Sequence, residues 1–214
     1  SDVTNVAVLR NGMVQAMRAI PLGSGDITDA IASRFGIRRQ HAQRLKCVSG
    51  SAIATPTDHR EMIAVNGPGE EPGGPLARGA DEQNRIARAE LVAIVTDRLG
   101  VATVEIGKAL KAMGFTGAQG GQVVLTGGGA ELHGIAEFMQ GALGRPVRIG
   151  KPPVLQGLPE AHATPGFATL AGLCLYASED PVDIRSVGPR YQPTRRYRGM
   201  GLINRVFQAV REYF

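Results

Sequence analysis

The sequence predicts an α/β fold. Three observations carry that expectation. Two strand-like runs flank Asn11-Gly12 at the start of the chain, a β-branched run empties into Gly127-Gly128-Gly129 ahead of a helical pattern, and helical stretches alternate with strand-like ones in between. Strands alternating with helices bury a sheet under helices, which is the layering of the α/β class. With 214 residues, 43% hydrophobic and 20% charged, the chain can form one substantial core or two modest subdomains.

The elements follow in order. VTNVAVLRNGMVQAMRAIPL (3–22) reads as two strands joined at Asn11-Gly12, the favoured two-residue hairpin turn. GSGDITDAIASRFG (23–36) gives a glycine turn, a capping Asp26 or Thr28, and a short helix carrying Ile27, Ala30, Ile31 and Phe35. IRRQHAQRLKCVSG (37–50) is a second short helix ended by Gly50. SAIATPTDHREMIAV (51–65) holds a strand or two, and residues 66–83, rich in Pro and Gly without apolar periodicity, read as an exposed loop. Residues 84–113 form the longest helical stretch, where Gly100 and Gly107 are expected to weaken or break the helix. GGQVVLTGGG (120–129) is a strand feeding a glycine turn. A helix follows over 130–144 with Ile135, Phe138, Met139 and Ala142 on one face, then the short strand PVRIG (146–150). TPGFATLAGLCLYAS (164–178) is a small-residue helix expected to pack closely. Residues 179–200, rich in Pro and Arg, read as a linker.

No apolar run approaches the ~20 residues of a membrane span. The opening Ser1-Asp2-Val3-Thr4 lacks the basic-then-apolar order of a signal peptide, and with no initiator Met the chain is read as a fragment or a processed form. Cys47 and Cys174 lie in helical patterns far apart, so they read as buried reduced thiols rather than a disulfide scaffold. The four histidines are scattered, no ligand set has metal spacing, and no Ser or Cys stands in a nucleophile motif. No catalytic residue and no metal ligand is assigned.

Charge is uneven. From Ile184 onward seven arginines stand against Glu212 alone, giving +6; the chain totals +5, so the remainder carries −1. A basic tail seeks an anionic partner. At about 100° per residue, Leu202, Ile203, Val206, Phe207, Val210, Tyr213 and Phe214 share one arc of residues 201–214, while Asn204, Arg205, Gln208, Arg211 and Glu212 fill the other. A helix this short needs a surface to lie on. Its own core, a partner's groove and a membrane interface all fit the pattern. Tyr191 and Tyr197 interleave with arginines, yet no nucleic-acid module is present and the apolar arc has no use on one, so nucleic acid is not expected.

The strand–glycine–helix unit also has two readings. Backbone without Cβ atoms can approach a ligand closely, and the following helix aims N–H groups at it. Tight strand-to-helix turns need glycine for steric reasons alone. The segment is neither a GxGxxG fingerprint nor a P-loop.

The order of elements resembles the second half of actin-like ATPases, and within them the FtsA family of bacterial cell-division proteins. VVLTGGGAELHGIAEFMQGALGRPVRIGKP (123–152) is similar to the family's adenosine segment. Residues 7–32 resemble its second phosphate-loop hairpin and the next helix, QHAQRLKCVSG (40–50) its nucleotide-side helix, ARAELVAIVTDRL (87–99) the start of its long subdomain helix, and 164–177 its last core helix. The resemblance implies an actin-like subdomain 2A over 1–32 plus 118–178, a subdomain 2B over 33–117, a linker over 179–200 and a membrane-targeting helix over 201–214.

It further implies that Gly127, Gly128, Gly129 and Ala130 lie against adenosine, that Gly23, Ser24 and Gly25 lie near the nucleotide cleft, and that Gln43 and Lys46 face adenine and ribose. ATP with Mg would be the cofactor. Leu202, Ile203, Arg205, Val206, Phe207, Val210, Arg211 and Phe214 would engage anionic membrane lipids. The C-terminal peptide of FtsZ would dock on subdomain 2B, where Arg38, Arg39, Arg44, Lys108 and Lys111 are plausible contacts. The body would self-associate into actin-like filaments at the cytoplasmic face of the inner membrane, at the division site. Two departures matter: Gln43 stands where the family usually has Glu, and the Asp-x-Gly-Gly-Gly-Thr run before the first hairpin strand is absent. About half a nucleotide site remains, so tight ATP binding or turnover is not expected of this chain alone. A fragment of another actin-fold ATPase (sugar or carboxylate kinase, Hsp70-like chaperone, pilus-assembly homologue) is the alternative.

Overall fold

The computed structural model describes residues 2–65, 85–116, 121–154, 159 and 162–179. The 66–83 loop and residues 180–214, which include the expected terminal helix and all of the linker but Glu179, lie outside the described residues. By its contacts the chain divides into a unit Ser1–Cys174 and a unit Leu175–Phe214. Among the described residues no helix is long and apolar enough to cross a membrane.

The hairpin forms as expected. Strands β1 (Thr4–Arg10) and β2 (Met13–Ile20) pair antiparallel from Thr4↔Ile20 to Arg10↔Met13, with a register shift between Val8 and Leu9. Asn11 (φ 51°) and Gly12 (φ 76°) both take the left-handed conformation that a tight hairpin turn of matching twist requires. Helix α1 (Ser24–Phe35) starts after Gly23, whose N–H donates to the Asp26 carboxylate at 2.6 Å. This reach-back from the third helical residue satisfies one orphan donor of the first turn. Helix α2 (Arg39–Ser49) ends at Gly50, and its buried residues Ala42, Leu45 and Lys46 recur at three- and four-residue spacing.

Residues 51–65 supply one short strand, β3 (Met62–Ala64), and it pairs antiparallel with β4 (Arg85–Ala87). The latter replaces the first turn of the long helix expected from residue 84. Helix α3 (Arg88–Ala112) then runs unbroken through Gly100 and Gly107. Burial of Leu91, Val92, Val95, Leu99, Thr103, Ala109 and Leu110 outweighs the ~1 kcal/mol that each glycine costs. Strand β5 (Val123–Leu125) pairs parallel with β6 (Val147–Ile149). A parallel pair needs a crossover, here the 3-10 turn Gly128–Glu131 and helix α4 (Ile135–Leu143). Ile135 and Met139 are buried and Phe138 half-buried as expected, but Ala142 faces solvent.

Among the described residues two clusters form the core. The larger joins Ile27 and Ile31 of α1, Ala42 and Leu45 of α2, Leu91, Val95 and Leu99 of α3, and Ile135 and Met139 of α4. The smaller packs Val6, Val8 and Ile20 of the hairpin on Ala109 and Leu110 of α3. Ile106 packs against both clusters, so α3 is the spine of the unit.

Helix α5 (Ala168–Ser178) corrects an expectation. Ala171 is its one buried residue, while Leu170 and Leu173 are exposed. Its apolar residues surround the axis instead of forming one stripe, so a single line of packing leaves the others uncovered. The cysteines are a second correction: Cys47 and Cys174 are both exposed free thiols. Cys47 lies off the α2 face that holds Ala42, Leu45 and Lys46, and Cys174 belongs to the sparsely packed α5.

Candidate functional site

The residues singled out in α1, α2 and the glycine turn converge. Lys46 is buried, and its Nζ donates to the Ser24 carbonyl at 2.7 Å and to Thr28 Oγ1 at 2.8 Å. Thr28, 1% exposed, donates in turn to Gln43 Oε1 at 2.7 Å, and Gln43 Nε2 donates to Cys47 Sγ at 3.3 Å. The helical spacing explains the grouping. Gln43, Lys46 and Cys47 lie three and four residues apart on α2, as Ser24 and Thr28 do on α1, so facing helices bring one row against the other. Burial pushes the Lys46 ammonium down from its ordinary pKa; the Arg39 charge lowers it further, while Cys47 and Asp29 work the other way.

The triple glycine faces the same spot. A Cβ at Gly129 would lie 3.8 Å from Ser24 Cβ, while at Gly127 and Gly128 it would meet nothing within 4 Å. Gly127 holds φ 87°, a conformation that glycine adopts freely. Ala130 is buried beneath the turn. The turn is anchored from behind: Gly127 N–H donates to Pro165 O at 2.9 Å, and Gly166 N–H to the Glu131 carboxylate at 3.1 Å. At Gly25 a Cβ would meet the carboxylate end of the exposed Asp2 side chain. Gly23, Ser24, Gly25, Gln43, Lys46 and Gly129 therefore belong to one neighbourhood, with Gly127 and Gly128 presenting open backbone.

Sequence reasoning missed two further constellations. Ser51 forms an isolated parallel bridge with His133, with Ala52 N–H donating to His133 O at 2.8 Å and Ser51 Oγ lying 3.3 Å from His133 Nδ1. Nothing local in the sequence signals this 82-residue contact. Asp58, 1% exposed, accepts from Thr55 N–H at 2.7 Å, from Thr55 Oγ1 at 2.6 Å and from Arg88 at 3.0 Å. The Thr55 hydroxyl and N–H, with Arg88 beyond them, hold its carboxyl below the ordinary range against the opposing effect of burial. The Thr-x-x-Asp spacing was the available signal. Arg88 also reaches Glu61 at 3.1 Å and the Ser49 carbonyl at 3.2 Å. Beside this knot a cleft of about 240 Å³ opens between residues 54–59 and the first turns of α3, lined by Ala54, Thr55, Asp58, Val92, Ala93 and Thr96. Arg39, one of the expected peptide contacts, is exposed and pairs with Asp29 at 2.6 Å, which raises its pKa. Lys108 pairs with Glu105 on its own helix at 2.7 Å. The expected membrane-contacting residues lie outside the described residues.

This arrangement of sheet, crossover and glycine turn is the actin-like fold. MreB5 of Spiroplasma citri bound to AMPPNP superposes with a TM-score of 0.58 at 14% identity, over 83% of this chain and 50% of that one. The PilM–PilN type IV pilus biogenesis complex gives 0.55 at 20% identity, over 82% of this chain and 43% of that one. The chain itself belongs to the FtsA family: the profile described as Cell division protein FtsA matches residues 1–172. The Cell division protein FtsA of Agrobacterium fabrum is 34% identical over 212 residues, which is 99% of this chain and 46% of the relative. The chain thus spans about half the length of the curated relatives it matches. Family membership separates it from the kinase, chaperone and pilus-assembly alternatives.

Proposed function

We propose that this chain is part of a tether that holds the FtsZ ring to the inner face of the cytoplasmic membrane at the division site. Membership of the FtsA family carries the reading. In it, residues 1–32 plus 118–178 act as subdomain 2A, 33–117 as 2B, 179–200 as the linker and 201–214 as the membrane helix. The alignment to the Agrobacterium fabrum relative takes in 212 of the 214 residues, so it reaches into the basic amphipathic tail. Arg205 and Arg211 meet lipid headgroups while Leu202, Ile203, Val206, Phe207, Val210 and Phe214 enter the acyl boundary.

The neighbourhood built above supplies the adenosine side of an ATP site, about half of what the whole body would need. Open backbone at Gly127 and Gly128 suits the close approach of a flat adenosine, and the exposed Gln43 suits its hydroxyls and ring nitrogens, while Lys46, buried with Nζ on Ser24 O and Thr28, holds the helices beneath. Mg would come with the phosphates, whose loop is not among the residues of this chain. The cleft beside α3 has an apolar wall of Ala54, Val92 and Ala93 fit for one bulky side chain of the FtsZ C-terminal peptide. Self-association into filaments completes the tether by adding up many weak anchors.

Co-sedimentation with anionic liposomes tests the tether, comparing residues 1–214 with 1–199 at low and high salt. The full chain alone is expected to pellet, and less so as salt rises. If both stay in the supernatant while the truncation melts earlier, the tail is a core element and the tether is wrong.

A further inference from the structure

The glycine turn and the cleft beside α3 share one piece of chain. Residues 51–53 are fastened to the far end of the turn. Ser51 bridges His133, and Ala52 N–H donates to His133 O at 2.8 Å. Gly134, at φ 74°, has no room for a Cβ because the Ile53 side chain occupies the space. Immediately onward, Ala54, Thr55 and Asp58 form one wall of the cleft.

The segment has little slack. Ser51 is 1% exposed; its Oγ donates to Ile53 O at 2.8 Å and accepts from Ile53 N–H at 3.0 Å. At the other end Asp58 holds Thr55, Arg88 holds Asp58, and Ala89 N–H donates to Asp58 O at 3.2 Å. The stretch is pinned at both ends, so it is the piece of chain through which a shift of His133 and Gly134 would reach Ala54 and Thr55 where they face Val92 and Thr96.

We propose that residues 51–58 couple the glycine turn to the cleft, so that a nucleotide at Gly127–Ala130 changes the affinity of the cleft for an apolar peptide side chain. The proposal rests on the nucleotide reading above. Coupling of this kind is reciprocal: occupancy of the cleft changes nucleotide affinity by the same factor. The knot of Ser51, Ile53, His133 and Gly134 is the joint, since severing it leaves each site with its own contacts.

Hydrogen–deuterium exchange on the 214-residue chain, with and without millimolar AMPPNP, tests this. Peptides spanning 123–134, 54–61 and 88–96 are all expected to exchange more slowly with the nucleotide. Ile53→Ala, at a partly exposed position, and Ser51→Ala are each expected to lose the response at 54–61 and 88–96 while keeping it at 123–134. Thermal melts confirm that each variant is folded. A response confined to 123–134 in the parent chain overturns the coupling and leaves the nucleotide site standing. So does a response that passes undiminished through both variants. Silence at 123–134 as well means that this chain alone takes up no nucleotide at millimolar concentration, and overturns the coupling in it.

Discussion

Thr28 shows how much one buried hydroxyl holds. It accepts from Lys46 and donates to Gln43, with almost no contact with water. Thr28→Val keeps the shape and removes these bonds together with the hydroxyl's longer contact to the Ser24 carbonyl at 3.2 Å, leaving Lys46 Nζ with that carbonyl alone of its two acceptors. The expected loss is about 1–3 kcal/mol in urea unfolding, because a buried donor left unpaired keeps its desolvation penalty. Lys46 adds a sign to the pH dependence. Its folded pKa lies below the unfolded one, so the unfolded chain binds more protons between the two values and stability rises with pH there. Asp58 acts at the acid end. Its folded pKa is depressed, so its contribution is complete above the unfolded value of about 4 and is lost as pH falls through the folded value. Asp58→Asn should lower the melting temperature at neutral pH. It should also shrink the difference between parent and variant as pH falls below about 4; an equal gap at all pH values would remove Asp58 from the acid response.

Among the elements, α3 separates local propensity from tertiary packing. Gly100 and Gly107 argue for a break, yet the helix is continuous from Arg88 to Ala112. At Gly100 an added Cβ meets nothing within 4 Å, and at Gly107 only Leu143 Cδ2 at 3.9 Å. Gly100→Ala should therefore stabilise the chain by about 0.5–1 kcal/mol, measured by chemical denaturation. Destabilisation would mean that the added Cβ meets a neighbour in the folded chain. The strands divide along the same line. The β1–β2 hairpin was legible because Asn11-Gly12 states its own turn, and β5 because Val123–Leu125 runs straight into glycine. Strand β4 was not, because Arg85–Ala87 is three residues without alternation whose state is set by pairing with Met62–Ala64 across the chain. The site follows suit. Gln43, Lys46 and Ser24 were singled out through family motifs and lie together, but Thr28, read only as a possible cap, is the bridge between them, since an interior threonine carries no local mark of its partners. The exposed cysteines were misjudged because the thiol's usual burial says nothing about which face of α2 position 47 takes, or how little of α5 is covered.

At the scale of the whole molecule the decisive feature is the separation of charge. The tail from Ile184 carries +6 and the rest of the chain −1, so attraction to an anionic surface belongs almost wholly to the last residues. The tether reading asks two things of them, and they can be pulled apart. Apolar residues supply burial, which acts on any bilayer, while each arginine near an anionic leaflet adds ~1 kcal/mol, which acts only where lipid is charged and salt is low. Replacing Arg205 and Arg211 together by Gln should weaken binding to anionic vesicles by about 2 kcal/mol, near thirty-fold, at low salt. At high salt the same variant should approach the parent, because the Debye length shrinks to ~3 Å at 1 M. Phe207→Glu should instead abolish pelleting at every salt concentration, since it sets a carboxylate in the middle of the apolar arc. Tryptophan is absent from the chain, so the readout is vesicle co-sedimentation with a labelled lipid rather than intrinsic fluorescence. If the arginine variant pellets like the parent at low salt while Phe207→Glu still fails, binding is hydrophobic alone and the basic tail serves another anionic partner. If Phe207→Glu pellets like the parent, the apolar arc does not meet lipid, and the tail is not the anchor.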